Sequence, residues 1–179
     1  MSTYAELRAR IEDDILRTDI TSRVQEQIKK AIDHYKRIPF WFNEARTTLT
    51  ASSSSSFLTV PTDYIDTVEL YINLGTNPVR MIEKSLDEVV GGRPTGGSTP
   101  SRYCYFGDRF ELNCEVNTQY TFPLWYIKEL ATLSASSDTS LWTTTGEDLI
   151  VARAEKVLYR DVLKDTSKFS LAKDAEREA

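Results

Sequence analysis

Arg102-Tyr103-Cys104-Tyr105-Phe106-Gly107-Asp108-Arg109-Phe110-Glu111-Leu112-Asn113-Cys114 is the stretch whose reading decides the fold. Gly107-Asp108 has the chemistry of a two-residue turn, and such turns close antiparallel hairpins. With that turn at the tip, Tyr105 faces Phe110 and Tyr103 faces Leu112, so one face is aromatic and apolar. A slip of one residue would break the match. The same register sets Cys104 opposite Glu111 and turns Cys114 to the other face. The two cysteines then cannot reach the ~3.8 Å between Cβ atoms that a disulfide requires. Free thiols are expected, which suits a reducing compartment.

Outward from this hairpin the chain keeps a period of two. Trp41, Asn43, Ala45, Thr47 and Leu49 alternate with Phe42, Glu44, Arg46 and Thr48. Residues 52–56 are five serines, a polar low-complexity loop or hairpin tip. Residues 57–61 read as a short strand stopped by Pro61. Residues 67–74 read as another, followed by the turn signal Gly75-Thr76-Asn77-Pro78. Residues 83–90 fit a short helix closed by Gly91-Gly92, and residues 91–99 a mobile Gly/Pro/Ser/Thr loop. A last strand is expected over 119–128, with Pro123 pointing to an edge or a bulge because it has no N–H for a ladder.

At both ends the period becomes helical. Tyr4, Leu7, Ile11, Ile15 and Leu16 share one face of a helix over 4–16. Ser22 and Gln25 fit a capping box opening a second helix, whose stripe is Val24, Ile28, Ala31, Ile32 and Tyr35. Ile38-Pro39 ends it, and two helices joined so closely pack as an antiparallel hairpin. Thr144 with Glu147 fits another capping box, before a helix carrying Ile150, Ala154, Val157, Leu158 and Val162. A weaker helical segment over 168–179 has few anchors beyond Phe169, Leu171 and Ala172. The expected fold class is α+β: N- and C-terminal helices form a small bundle with an inserted antiparallel β-rich domain. The expected divisions are 1–40, 41–143 and 144–179.

With 179 residues, 40% apolar and 27% charged, the chain is long enough to bury roughly 70% of its unfolded surface without staples. That excludes a disulfide-dense miniprotein, a fibre and a wholly disordered chain. The 22 Lys and Arg against 27 Asp and Glu leave a net charge of −5, the wrong sign for gripping phosphates. Residues 41–143 carry the acidity. No apolar run approaches the ~20 residues of a membrane span, and no signal-peptide core opens the chain. A soluble protein made in a cytoplasm is expected.

Chemistry-bearing constellations are few. Two cysteines and the single His34, on different elements, do not make a zinc spacing. Asp108, Glu111 and Glu115 lie near one another on the hairpin, and a carboxylate pair can hydrolyse a glycosidic bond. In that pattern they read more simply as the solvated face of a strand pair. The glycine-rich stretch Gly91-Gly92-Arg93-Pro94-Thr95-Gly96-Gly97 is not a phosphate loop. Phe40-Trp41-Phe42 beside Tyr35 reads as packing between the bundle and the β part. No catalytic, cofactor-binding or metal residues are assigned, and no enzymatic role is expected.

The order of several short motifs resembles the head-to-tail adaptor (connector) proteins of short-tailed and related bacteriophages. The matching residues begin with Tyr4-Ala5-Glu6-Leu7 and Arg17-Thr18-Asp19-Ile20-Thr21. They continue with Phe40-Trp41-Phe42-Asn43-Glu44 running into Thr47-Thr48-Leu49-Thr50, then Val60-Pro61-Thr62-Asp63-Tyr64. Later come Arg93-Pro94 with Tyr103-Cys104-Tyr105-Phe106-Gly107-Asp108-Arg109-Phe110, and Tyr126-Ile127-Lys128-Glu129-Leu130 with Leu133-Ser134. Trp142-Thr143-Thr144 ahead of Asp148-Leu149-Ile150 completes the series. Pro123 and Gly96-Gly97-Ser98-Thr99 depart from the family pattern.

The resemblance implies a virion structural protein at the portal vertex, the head-to-tail interface. It would dock under the portal protein, form a twelve-subunit ring with copies of itself and hold a tail or nozzle protein. Double-stranded DNA would pass through the channel without sequence-specific binding, and no membrane or cofactor is implied. An acidic lumen lets phosphate slide. The C-terminal residues Lys168, Phe169, Leu171 and Ala172 are the candidate contacts to portal or neighbour, in a tail that orders on contact. Ser52, Ser54, Ser56, Arg93 and Thr95 are the candidate tail-facing residues. Two alternatives belong to other classes: a tail-associated wall-degrading hydrolase on the hairpin carboxylates, and a host-glycan-binding tail module on exposed aromatics.

Overall fold

A computed structural model describes residues 2–75, 77–94 and 96–179. The chain divides into two compact units, Met1–Asn43 with Glu129–Ala179, and Glu44–Lys128. Helices occupy both ends and sheets the middle, an α+β fold.

In the helical unit, α1 (Tyr4–Asp14) opens with a capping box: Thr3 accepts from Glu6 N–H at 3.2 Å and Glu6 from Thr3 N–H at 2.8 Å. The next helix, α2 (Thr21–Tyr35), starts one residue ahead of the expected Ser22 cap. Ser22 therefore sits inside its first turn, and Ile20 holds the cap position without a side-chain bond. Beyond α2, buried Asn43 fastens the exit: its Oδ1 accepts from Phe40 N–H at 2.7 Å and its Nδ2 donates to the Ile38 carbonyl at 3.0 Å.

Residues 129–143 pack in the helical unit rather than with the strands, so the division falls after Lys128 and not at 143. Two contacts cause this. Leu133 and Trp142 are buried in the helical core. The carbonyls of Asp138 and Ser136 also accept from Tyr4 N–H (2.8 Å) and Ala5 N–H (3.0 Å), orphan donors of α1. The short α3 (Leu141–Thr144) is capped by Ser140. Thr144 then donates its hydroxyl to Ser140 carbonyl at 3.2 Å, so the expected Thr144–Glu147 box does not form. Gly146 caps α4 (Glu147–Leu158) instead; a Cβ there would meet Trp142 at 3.1 Å and Phe42 at 3.3 Å.

Helix α4 packs against α1, α2 and α5 (Thr166–Glu178), so it is the central element of the bundle. Its buried Ile150, Ala154 and Leu158 meet Leu7, Ile11, Val24 and Ile28 in one cluster. A π-type turn over Tyr159–Leu163 continues it, and Lys164, in the left-handed region at φ 56°, stops it.

The β unit has two four-stranded sheets. One is ordered β1 (Glu44–Ala51), β8 (Tyr120–Lys128), β3 (Tyr64–Asn73), β4 (Pro78–Arg80). The other is ordered β2 (Phe57–Thr59), β7 (Arg109–Leu112), β6 (Arg102–Tyr105), β5 (Ile82–Glu83). Pairing is antiparallel except between β5 and β6. Leu58, Phe110, Leu112, Leu70, Ile72, Phe122 and Leu124 from both sheets form one buried core. At roughly 1.5–3 kcal/mol for each fully buried side chain, that core is the main stabilising term of the unit.

The hairpin register is Tyr103↔Leu112, Cys104↔Glu111 and Tyr105↔Phe110. Gly107 and Asp108 both have φ near 59°, the conformation a type I′ turn demands. Three local readings are corrected. The strand with Pro123 is central, lying between β1 and β3. It tolerates the proline because pairing with β3 ends at Leu124, while Pro123 itself stands opposite Thr48. The expected helix over 83–90 is only a π-type turn, Asp87–Gly91, since Ile82-Glu83 join β6 as a strand. The alternation read from Trp41 onward becomes a strand only at Glu44, because Phe40 and Phe42 stack on each other and meet the Trp142 ring edge-to-face.

Candidate functional site

The candidate residues fall in two places, one on each unit. On the helical unit, Phe169, Ala172 and Glu176 of α5 lie three and four residues apart and share one face. Ala172 is buried and Phe169 half-buried against the helical core. Lys168 and Leu171 point outward. The Lys168 ammonium sits 5.5 Å from the Tyr159 ring centroid, and Leu171 is 71% exposed. The four candidates thus separate into two that hold the helix down and two that present a surface.

Glu176 was not among them, yet it is the strongest anchor of α5. One carboxylate oxygen accepts from Tyr35 Oη at 2.6 Å and from Arg153 at 2.8 Å, and the other from Lys156. Burial alone would raise its pKa. The hydrogen bonds from Lys156, Tyr35 and Arg153 outweigh burial and bring it down to about 2. Burial and the same carboxylate push the Tyr35 hydroxyl well above its ordinary range. The picture of a thinly anchored C-terminal tail is therefore corrected: an ionic cluster ties it to α2 and α4. The available signal was an acid seven residues after Phe169, on the face that already held Ala172.

Two shallow pockets share Arg160 in their lining, and one of them borders α5. One of about 220 Å³ is lined by Gln27, Lys30, Arg153 and Arg160 among others. The other, of about 340 Å³, is lined by Tyr159, Arg160, Lys164 and Phe169 among others. Acidic side chains share this side with the basic ones: Asp161 and Asp165 also line the pockets, and Arg160 pairs with Asp161 at 2.6 Å.

On the β unit, the serine loop and the glycine-rich loop meet at one segment. Ser54, at φ 68°, donates its N–H to Val116 carbonyl at 2.8 Å, and Val116 donates to Ser55 carbonyl at 2.9 Å. Ser98 N–H donates to Glu115 carbonyl at 2.8 Å, and Asn117 N–H to Ser98 carbonyl at 3.3 Å. Gly97 lies so close to Asn117 that a Cβ would come 2.8 Å from its Cα. Ser52 and Ser54 are exposed, and Ser56 is half-buried with its carbonyl accepting from Leu112 N–H at 2.9 Å. Thr95 lies outside the described residues.

Arg93 faces inward. Its guanidinium donates to Glu111 at 2.9 Å and to Leu112 carbonyl at 2.8 and 3.1 Å. The loop expected to be mobile is thus strapped to β7. Glu111, expected on a solvated face, is 6% exposed and accepts from Arg93 and, at 2.5 Å, from Arg109. Asp108 accepts from Tyr105 Oη at 3.1 Å at the exposed tip, and Glu115 is exposed elsewhere. The three carboxylates do not converge.

Cys104 and Cys114 are free and buried, and burial raises both thiols above their ordinary pKa. His34 is exposed, its ring edge-on to Tyr35 at 4.8 Å, and burial is the leading cause of its lowered pKa. Among the described residues no group of three or more His, Cys, Asp or Glu could hold a metal ion. No helix among them is long and apolar enough to cross a membrane.

Compared with known proteins, residues 2–179 match the family model described as SU10 adaptor protein. No curated protein sequence matches the chain.

Proposed function

The chain belongs to the SU10 adaptor protein family, a phage adaptor with a structural place in the virion, and we propose that it docks under the portal as a twelve-subunit ring. In this reading the ring surrounds the DNA channel and holds a tail or nozzle protein on its other side. The match over residues 2–179 is the observation that carries it. The outer surface of α5, with exposed Lys168 and Leu171 beside the pocket lined by Tyr159, Arg160 and Phe169, is the portal or neighbour contact on the helical unit. The loop end built from residues 52–56 and 96–99 is the tail-facing contact on the β unit. Arg93 serves there as the strap that shapes the loop. The net charge of −5 suits a channel wall that does not trap phosphate.

Light scattering on a size-exclusion column tests the portal step, with the chain alone and mixed with its portal ring. Co-elution in a one-to-one subunit ratio is expected; separate elution at micromolar concentration refutes docking. Leu171→Asp with Lys168→Glu is expected to leave the helical fold intact and abolish co-elution. Deleting 168–179 is a poor substitute, because it also strands Arg153 and Lys156 without Glu176.

A further inference from the structure

We propose that the outer edge of β1, over residues 44–49, is a docking site for an extended segment of another protein, which adds to the β1-β8-β3-β4 sheet as a fifth strand. The proposal rests on the ring reading above only where it sets aside a second copy of this chain as the occupant.

The four edges of the two sheets are not alike. β5 is two residues long, and β4 is three and begins with Pro78. β2 is also three, and Ser55 caps it: the hydroxyl donates to the Phe57 carbonyl at 2.9 Å and accepts from its N–H at 3.4 Å. Short length, proline and edge caps all keep a sheet from pairing further. β1 has none of these. Its eight residues run in unbroken register with β8, from Glu44↔Ile127 to Ala51↔Tyr120. Of its two charges, Glu44 stands at the first position, and Arg46 is folded back over the Trp125 ring of β8, 4.5 Å from the centroid.

In an antiparallel ladder, every second residue of an edge strand turns its N–H and C=O away from the neighbouring strand. Apart from the pairing with β8, no hydrogen bond reaches the main chain of β1 among the described residues. Ala51 is buried at the end that leads to β2, so the open stretch is 44–49. A row of unpaired donors and acceptors at strand spacing is matched by one kind of ligand, another extended main chain. Ala45, Thr47 and Leu49 are half-buried at the rim of the β core. An added strand would cover them, so its side chains on that face are small or aliphatic and uncharged.

A second copy of this chain is the weaker occupant. Its strands are all paired within their own sheets, so it can offer only the three guarded edges or β1 itself. β1 against β1 is a two-fold contact that closes at two subunits. Neighbours in a cyclic ring of twelve are not related in that way.

The test is amide exchange on the full chain, read by NMR, with a synthetic seven-residue peptide of alternating valine and threonine ending in lysine. At about 1 mM peptide, exchange is expected to slow about tenfold at the β1 amides that do not bond β8, as a Kd of about 0.1 mM gives. The same peptide N-methylated at every amide keeps its side chains, loses its donors and is expected to have no effect. Thr47→Lys, checked for its fold by circular dichroism, places at the rim a charge of the kind that guards natural edges and is expected to abolish the slowing. No slowing at that concentration, equal slowing by the methylated peptide, or slowing that survives in the folded lysine variant overturns the proposal. Slowing that grows with subunit concentration in the absence of peptide gives the edge to a second copy and overturns it too. A chain that takes the peptide but never joins the portal ring refutes the portal reading and leaves the docking edge standing; co-elution with the portal and no peptide effect does the reverse.

Discussion

The two units are held together by different means. In the β unit, side chains from two sheets close over Phe110, Leu112, Phe122 and Leu124, and its one buried carboxylate, Glu111, is met by two guanidiniums. The helical unit has a comparable apolar cluster, which takes in Ala172 and Phe169 of α5, and α5 is held in addition by the charges around Glu176. It also contains buried polar atoms with no hydrogen-bond partner among the described residues: Tyr4 Oη, Glu155 Oε1, and Arg8 Nε and Glu12 Oε1, which form only a 3.7 Å ion pair with each other. Tyr4, Arg8 and Glu12 are four residues apart and so form a row along one side of α1. The difference teaches where each unit is vulnerable. The β unit depends on shape, and the helical unit depends on protonation state.

Shape is tested most severely at Phe110, fully buried between the sheets. Phe110→Ala is expected to cost about 3–5 kcal/mol, read as a lower denaturant midpoint in the fluorescence of the β-unit tryptophan Trp125. If the helical circular dichroism shifts equally, the two units unfold as one and the comparison breaks down.

Charge is tested at Glu176. Glu176→Gln leaves Arg153 and Lys156 facing a neutral amide and is expected to cost about 2–3 kcal/mol at pH 7. The pH dependence sharpens the point. The folded pKa of about 2 lies below the ordinary 4.5. The stabilisation is therefore complete above about 4.5 and lost as pH falls towards 2. Acid titration of thermal stability is expected to show this loss in the wild type and not in the Gln variant. An equal acid loss in both would assign it to other carboxylates.

These two regions were unequally legible in the sequence. The hairpin register could be read because a two-residue turn and a period of two leave a single way to put Tyr103, Tyr105, Phe110 and Leu112 on one face. The terminal helices could be read from the spacing of Leu7, Ile11, Val24 and Ile28. What escaped was fixed by partners distant in sequence. Glu176 bonds Tyr35 across 141 positions, and no local pattern announces such a pair. Arg93 reads as a loop residue because Glu111 is 18 positions away. The capping boxes at Ser22 and Thr144 failed because neighbouring residues, one turn or less away, competed for the same helix start. The candidate contacts on α5 were half legible: spacing marked the helix, but only the packing separates Leu171 from Ala172.

A smaller effect is expected in the loop end of the β unit. Gly97→Ala would set a methyl 2.8 Å from the Asn117 Cα, a backbone atom that cannot simply rotate away. The cost is expected to be about 1–2 kcal/mol, with faster amide exchange at Ser98 and Asn117. Unchanged exchange there would mean that the close approach does not hold the loop.

The last effect, of similar size, separates two carboxylates of the helical unit by sign. Burial, then the neighbouring Asp14, raises the pKa of Glu155 to about 7, against an ordinary 4.5. Arg10 opposes the shift only weakly, being engaged by Glu147 at 3.0 Å and Asp148 at 2.8 Å. Below about 4.5 the group is protonated both folded and unfolded and costs nothing. As pH rises from 4.5 to 7 the unfolded chain ionises first, so stability falls, and above 7 the full penalty remains. Glu155→Gln removes that penalty. It is expected to stabilise the helical unit at pH 8 by about 1–2 kcal/mol, the shift being discounted for solvent screening, and to change little at pH 4. Glu176→Gln should do the reverse, destabilising at pH 8 and mattering least in strong acid. The two glutamates are carboxylates of one helical bundle, and opposite pH profiles would show that neighbours, rather than residue type, decide what each contributes. Parallel profiles would overturn the claim that protonation state governs this unit.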